Sequence, residues 1–505
     1  MFAFALSNII GLVRQILISH AFGTDKAIDA FYAASTYPDL VFSLVAGGAL
    51  SSAFLPTFTG FLARNEKRDA WKLASAIANI ILLLLIALSI VSVLLAPQII
   101  RYILAPNFSA DQQTVAASLL RILLISPAIF GVSGLMMGIL NAHQKFWLPA
   151  LAPSMYWLGM IFGLLFLVPS MGVFGLAWGA VLGAAMHLVI QIPGLLQLPD
   201  RSYFAFFGLH MESVREVGRL MGPRLLGVAV VQLNFVINTI IASGSNEGSL
   251  SAIKYAWQVM TMPQVVIAQS IAIAALPTFS AQVARGETND MRSALASTLR
   301  GVLFLSLPAS LGLILLREPL IAVLFQRGEF TALSTQMVAW ALLWYAAGLV
   351  GHNFVEVLSR AFYALHDTKT PVIVGTIAMT LNAIFSFAFS ALFLQLGWLP
   401  HGGLALANSF ATALEAATLF ILMRKRLEGI EGKSIADGVW RGSLAVLGMS
   451  IGLMIWIQVA GGMNRWIVAL GGVTIGGVVY LLSVLLLQVP EIKMLTNTVA
   501  NRLRR

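Results

Sequence analysis

The chain has 505 residues, 59% of them hydrophobic and only 10% charged, with a formal net charge of +10. Soluble domains carry about 25% charged residues, so this chain lacks the polar surface to face water and reads as an all-α polytopic membrane protein. It contains no cysteine, which excludes a disulfide framework and a thiolate metal site.

Apolar windows, in chain order, predict about fourteen spans: 1–21, 27–57, 72–98, 113–142, 147–168, 172–197, 218–243, 251–284, 293–316, 332–364, 371–396, 402–424, 436–460 and 465–488. The first window reads as a span and not as a signal peptide. It has no basic n-region, Arg14 interrupts it, and no small-residue cleavage site precedes His20. Pro38 and Pro263 fall inside spans and predict kinks. Loops after even-numbered spans carry Arg64, Lys67, Arg68, Lys145, Arg201, Arg215, Arg219 and Lys369, with Lys433, Lys493 and Arg502 further on. The opposite set holds only Lys26, Arg101, Arg317, Arg327 and Arg465. The positive-inside rule then places both termini in the cytoplasm. Topology and anionic headgroups account for the net charge, and its scatter over short loops argues against a nucleic-acid partner.

A repeat runs through the chain at a nearly constant spacing. AFLPTFTGFLA at 53–63 returns as AALPTFSAQVA at 274–284. Tyr32-Ala33 before Pro38 returns as Tyr255-Ala256 before Pro263, Ala142 and Pro149 as Ala364 and Pro371, and Gly175-Leu176-Ala177 as Gly403-Leu404-Ala405. The duplicated unit is six helices, an even number, so both copies insert with one orientation, and a substrate site is expected between two parallel lobes. The expected divisions are an N-lobe over 1–197, a cytoplasmic linker over 198–217, a C-lobe over 218–427, and two further spans with a basic tail over 428–505.

Arginine at mid-bilayer costs about 2.5–3.5 kcal/mol on insertion scales, so Arg14 requires a reason. It is either a phosphate-binding cation, since a guanidinium offers paired donors to phosphate oxygens, or half of a structural ion pair with Asp29 or Asp39. Asp29 sits near the outer end of span 2, where solvation is its simpler reading. Arg224 follows Gly222-Pro223 at the start of span 7 and can snorkel to the interface. Asn234 and Asn238, one turn apart with Gln232 nearby, either line a cavity or bond between helices. Lys254 and Gln258 share a face of span 8. Glu356 and Arg360, at i and i+4, predict an intrahelical pair. Glu415 is a lone carboxylate, either a coupling-ion ligand or a buried neutral acid. No Walker A loop, HExxH, GxSxG or paired acid–base carboxylates occur, so the chain reads as a transporter and not an enzyme. No cofactor is expected beyond coupling to a monovalent cation or to the membrane potential.

Several segments resemble the MurJ (MviN) family of lipid II flippases in the MOP exporter superfamily: Gly11-Leu12-Val13-Arg14, Asp29-Ala30-Phe31-Tyr32, GALSSAFLP at 48–56, LMGPRLLG at 220–227, Asn238-Thr239-Ile240, LFQRGEFT at 324–331 and AFYALHDTKTP at 361–371. The resemblance implies a flippase in the bacterial inner membrane. Its cargo would be the undecaprenyl-pyrophosphate-linked peptidoglycan precursor, moved from inner to outer leaflet by alternating access with Arg14 and Asp29 at the site. It also implies membrane lipids and cell-wall synthesis proteins as partners. The chain departs from the family pattern at Asn8, Phe42-Ser43, Gly47, Trp257-Gln258 and Thr261, where family charges are expected, and Lys254 is the candidate substitute for the span 8 cation. Two alternatives follow from those departures: an exporter of another polyprenyl-linked saccharide or small molecule, and a non-transporting cell-wall scaffold.

Overall fold

The computed structural model describes the backbone of residues 2–45 and 48–487, and the side chains of those residues other than 2–5, 45, 48–52, 223–224, 226–227 and 433–435. Gly47, the side chains of Arg224 and Lys433, and the basic tail from Lys493 therefore lie outside the described residues. Everything regular within them is helical: α1 Phe2–Phe22, α2 Lys26–Val45, α3 Gly48–Ala63, α4 Lys67–Leu94, α5 Ala110–Leu123, α6 Ser126–Ala142, α7 Trp147–Phe162, α8 Val173–Val189, α9 Glu212–Ser243, α10 Ser249–Gln264, α11 Ser270–Ala284, α12 Thr288–Leu315, α13 Arg317–Phe325, α14 Ala332–Ala347, α15 Leu349–Ala364, α16 Lys369–Gln395, α17 His401–Arg426, α18 Gly432–Ala460 and α19 Arg465–Leu486, with short turns between.

Among the described residues, ten helices are long and apolar enough to cross a membrane, and α14 with α15 make an eleventh if that pair, bent by 45°, is one span. Leu6–Phe22, Ala53–Ala63 and Val228–Ser243 are apolar but shorter. The outward faces carry what hydrocarbon requires: Leu83, Leu84, Ile90 and Leu94 on α4 are all more than half exposed. Pro38 lies inside α2. Pro263 lies inside α10 just ahead of a π-helical turn at Val265–Gln269, which re-pairs the backbone that proline disrupts.

The chain groups into two compact units, Met1–Ser251 with Arg327–Phe330, and Ala252–Gln326 with Thr331–Arg505. The first unit includes α9, which the repeat assigns to the second copy. Its core gathers Phe54, Phe58, Trp71, Leu73 and Leu85. The second unit has one core around Phe279, Leu299 and Phe362, and another in which α18 and α19 pack on α12 through Met449, Leu453 and Tyr480. The Tyr480 hydroxyl donates to the Phe304 carbonyl at 2.7 Å.

The repeat is visible in the backbone of each unit. Helices α4 and α12 are both 28 residues long and begin at equivalent places, Lys67 and Thr288. Each follows a turn with one left-handed residue, Asn65 or Gly286, and an exposed ion pair, Arg64–Glu66 or Arg285–Glu287. Gln144 and His366, likewise equivalent, both have φ 59°. Ser109 and Thr331, a third such pair, cap the helices that follow them. The duplicated glycines serve the same contact twice. A Cβ on Gly175 would lie 2.5 Å from the Leu167 carbonyl carbon, and one on Gly403 would lie 2.6 Å from that of Phe389. Small residues let membrane helices approach this closely.

Gly175→Val and Gly403→Val should each destabilise their unit by about 1–3 kcal/mol or more through overpacking. Gly477→Ala, with open space around its Cα, should be neutral. Thermal unfolding of the purified protein checks this, and a Gly403→Val chain as stable as the parent contradicts the close approach.

Candidate functional site

Arg14 lies midway along α1 and is half-buried. Its guanidinium carbon sits 4.1 Å from the Trp157 ring centroid. Nη2 donates to Gln15 Oε1 at 2.8 Å, and Nη1 lies 3.7 Å from Met160 Sδ. Gln15, buried, donates in turn to the Tyr32 hydroxyl at 2.8 Å. A desolvated cation over tryptophan is worth about 2 kcal/mol, close to the cost of placing arginine at this depth. The side chain is thus held at a fixed place by three helices, α1, α2 and α7.

Trp157 ends an aromatic series. Phe42 contacts Phe130 with ring centroids 4.7 Å apart, Phe130 contacts Tyr156 at 5.2 Å, and Tyr156 contacts Trp157 at 4.8 Å. Phe42 occupies a position where the family resemblance leads one to expect a charge. Asp39 is exposed. Sequence reasoning missed Gln15, Tyr32 and Trp157; tryptophan inside a span, with a lone arginine in another, was the available signal.

Asp29 is buried, with 3% exposure, and is committed to backbone. Oδ2 accepts from the Gly248 N–H and Oδ1 from the Ser251 N–H, each at 2.8 Å. It therefore satisfies orphan donors at the start of α10, a role distinct from the solvated carboxylate that its sequence position suggested. On α9, Asn238 Nδ2 donates to Asn234 Oδ1 at 3.1 Å, and Thr239 shares a hydrogen bond with Thr36 of α2.

In the second unit, Lys254 and Gln258 are half-buried on α10. Between them Trp257, also standing where a family charge is expected, packs edge-on against Tyr345 at 5.2 Å and His352 at 5.6 Å. His352 Nε2 pairs with Asn408 Oδ1 at 3.0 Å. Glu356 and Arg360 form an ion pair on α15 with Oε1 and Nη1 2.6 Å apart. Glu415 of α17 is buried, its Oε1 facing Gly375 of α16.

The two most distinctive motifs are turns. In LFQRGEFT, Gly328 is left-handed at φ 58°, and a Cβ there would lie 2.3 Å from the His20 carbonyl oxygen. The neighbouring Glu329 N–H donates to that oxygen at 3.0 Å. In AFYALHDTKTP, Asp367 accepts from the Thr370 N–H at 3.0 Å and hydroxyl at 2.8 Å, which starts α16 and holds the Asp367 carboxyl below the usual carboxylate range.

A family profile described as Lipid II flippase MurJ matches residues 18–471. The chain is 32% identical over 430 residues to the lipid II flippase MurJ of Burkholderia cenocepacia, covering 83% of this chain and 82% of that one. It is 28% identical to the probable lipid II flippase MurJ of Buchnera aphidicola from Schizaphis graminum, over 95% of this chain and 93% of that one. Among solved structures it resembles the lipid II flippase MurJ in an inward closed conformation, with a TM-score of 0.81 and 26% identity, over 95% of this chain and 97% of that one. It shares its fold with an inward-facing multidrug transporter of the MATE family, with a TM-score of 0.71 and 17% identity, over 84% of this chain and 94% of that one.

Asp29→Ala strands two buried backbone donors and should cost about 1–3 kcal/mol for each group left unpaired. Asp29→Asn, which keeps one acceptor, should cost less. Thermal unfolding orders the two variants, and equal stability of both with the parent contradicts the capping role.

Proposed function

The chain belongs to the MurJ family of lipid II flippases, and from that premise we propose that Arg14 receives the pyrophosphate of the cargo as its headgroup crosses. The protein is a transporter that carries lipid II across the membrane for peptidoglycan synthesis. The observation that carries the reading of Arg14 is its placement: half-buried, mid-span, and oriented by Trp157 and Gln15. Such a guanidinium offers its donors without first having to be ordered, and paired N–H groups match phosphate oxygens. Asp29 serves the same cycle from outside the binding event, by fixing the start of α10. Lys254 supplies the second cation in place of the family charges missing at Trp257 and Gln258.

The proposed cycle is alternating access: a polar headgroup passes through a wet route while the polyprenyl chain stays in lipid, so that no charged saccharide enters hydrocarbon. The proposed location is the bacterial inner membrane with both termini cytoplasmic, on the strength of the lysine and arginine skew. Return of an unloaded cationic site draws on the membrane potential, which is worth about 2.3 kcal/mol per charge per 100 mV, or on a monovalent cation. Cell-wall synthesis proteins are proposed as neighbours that supply or consume the cargo. A second reading, export of another polyprenyl-linked saccharide, is favoured by Phe42 and Trp257, since aromatics stand where charges are expected.

Complementation in cells depleted of their own flippase, read by outer-leaflet accessibility of labelled lipid II, tests the assignment. The parent chain should restore flipping. Arg14→Ala and Lys254→Ala should each reduce it about 10- to 100-fold, the size of a lost charge-assisted contact, with Arg14→Lys intermediate. Full flipping by Arg14→Ala removes the phosphate role, and indifference at Lys254 removes the substitute cation. Accumulation of a different polyprenyl saccharide selects the second reading, while depletion of this chain in its own cells that leaves flipping normal and wall assembly defective selects a scaffold.

A further inference from the structure

At the end of the first unit where α4 begins, a cavity of about 410 Å³ lies between α4, α6, the short helix Ile192–Leu196 and the segment after it. Its walls are carbon: Trp71, Ala78, Leu135, Met136, Ile139 and Leu195. Its rim is Arg201, Ser202 and Tyr203, all exposed. None of the residues around Arg14 takes part.

The rim is built. The Tyr203 hydroxyl donates to Asn79 Oδ1 at 2.6 Å. Asn79 Nδ2 donates to the Phe204 and Phe206 carbonyls at 3.1 and 2.8 Å. The Phe204 N–H donates to Ser75 Oγ at 3.1 Å. One asparagine and one serine of α4 thus strap the connecting segment across the opening. Cations gather at the same strap. Arg201 donates to the Leu196 carbonyl, Lys67 Nζ lies 2.7 Å from Asp200 Oδ2, and Lys145 Nζ donates to Gln197 Oε1 at 3.4 Å. Against these three cations Asp200 sets one carboxylate, so the rim carries an excess of positive charge.

Filling such a chamber with water would take roughly a dozen molecules at about 30 Å³ each, most of them facing carbon. The size and lining suit an apolar ligand fixed by a few polar groups. In a protein immersed in bilayer, the ligand with an apolar body and a phosphate at its end is a lipid. Clustered lysine and arginine at the membrane surface select the anionic kind.

We propose that this cavity binds an anionic glycerophospholipid of the surrounding bilayer, with an acyl chain in the chamber and its phosphate against Arg201, Lys67 and Lys145. The site goes beyond cargo transport and stands or falls separately from it. A bound lipid braces the strap at 201–206, the segment that leads into α9, so occupancy raises the stability of the first unit.

The test uses the full chain purified in detergent and titrated with phosphatidylglycerol or phosphatidylethanolamine. Native mass spectrometry counts retained lipids and thermal unfolding reports stability. The parent should hold one phosphatidylglycerol more tightly than phosphatidylethanolamine and unfold at higher temperature with it. Arg201→Gln, at an exposed position, should lose about tenfold in phosphatidylglycerol affinity, the size of one charge-assisted contact, with a smaller loss for phosphatidylethanolamine, whose ammonium offsets its phosphate. Ala78→Phe, which fills the chamber, should lose both lipids, and Ala78→Leu substitutes for it if the larger side chain unfolds the protein. Unchanged phosphatidylglycerol binding in Arg201→Gln overturns the headgroup assignment. An equal loss of both lipids in that variant overturns the charge selectivity. Retention by a folded chamber-filled variant overturns the cavity assignment.

Discussion

A guanidinium half-buried midway along an apolar helix is the constraint around which the first unit is arranged. At about 2.5–3.5 kcal/mol on insertion scales, Arg14 is tolerable only where neighbours replace much of what water gave it. Trp157 supplies its ring face, Gln15 an amide oxygen, and Tyr32 holds Gln15 in turn. That solution needs α1, α2 and α7 at fixed distances. Asp29, one turn before Tyr32 on α2, locks the same helix onto the start of α10. Positioning a polar group and closing the bundle are one problem here, because the residues that orient Arg14 also join the helices.

The departures from the family pattern then have a physical form. Phe42 joins the aromatic series that runs through Phe130 and Tyr156 to Trp157, and Trp257 packs on Tyr345 and His352. At both places an expected charge has become an aromatic side chain with aromatic neighbours. Each replacement removes the desolvation cost of a buried charge and puts ring packing in its place.

Helices, lipid-facing stripes and the repeat were legible in the sequence because each follows from local pattern: apolar runs, prolines, and turn residues recurring at one spacing. The Glu356–Arg360 pair was legible for the same reason, since i and i+4 on a helix are neighbours whatever the fold. Asp29 was not. Its partners are two backbone amides from a distant part of the chain, at Gly248 and Ser251, and backbone donors leave no mark in a sequence. The grouping of α9 with the first unit was also hidden, because a duplication tells which helices are related and not which ones pack. The cavity beneath Tyr203 was invisible because it depends on how residues 201–206 return to Asn79, a contact no periodicity encodes.

Duplication also explains where the two units differ. Gly175 and Gly403 fix the register of α8 against α17, and Val173 and His401, where the two helices begin, obey it. In that register His187 and Glu415 are equivalent positions. His187 is locked into a hydrogen-bonded network: its Nδ1 and Ser133 Oγ are 2.6 Å apart, and Gln191 donates to Ser133 Oγ at 2.7 Å and to the His187 carbonyl at 2.9 Å. Glu415 instead is a buried carboxylate whose Oε1 faces Gly375 of α16. The glycine contacts, caps and left-handed turns that hold each copy together have stayed paired, because altering one side would separate helices. The polar interior has been free to diverge: at this one position the first unit has a hydrogen-bonded imidazole and the second a buried carboxylate.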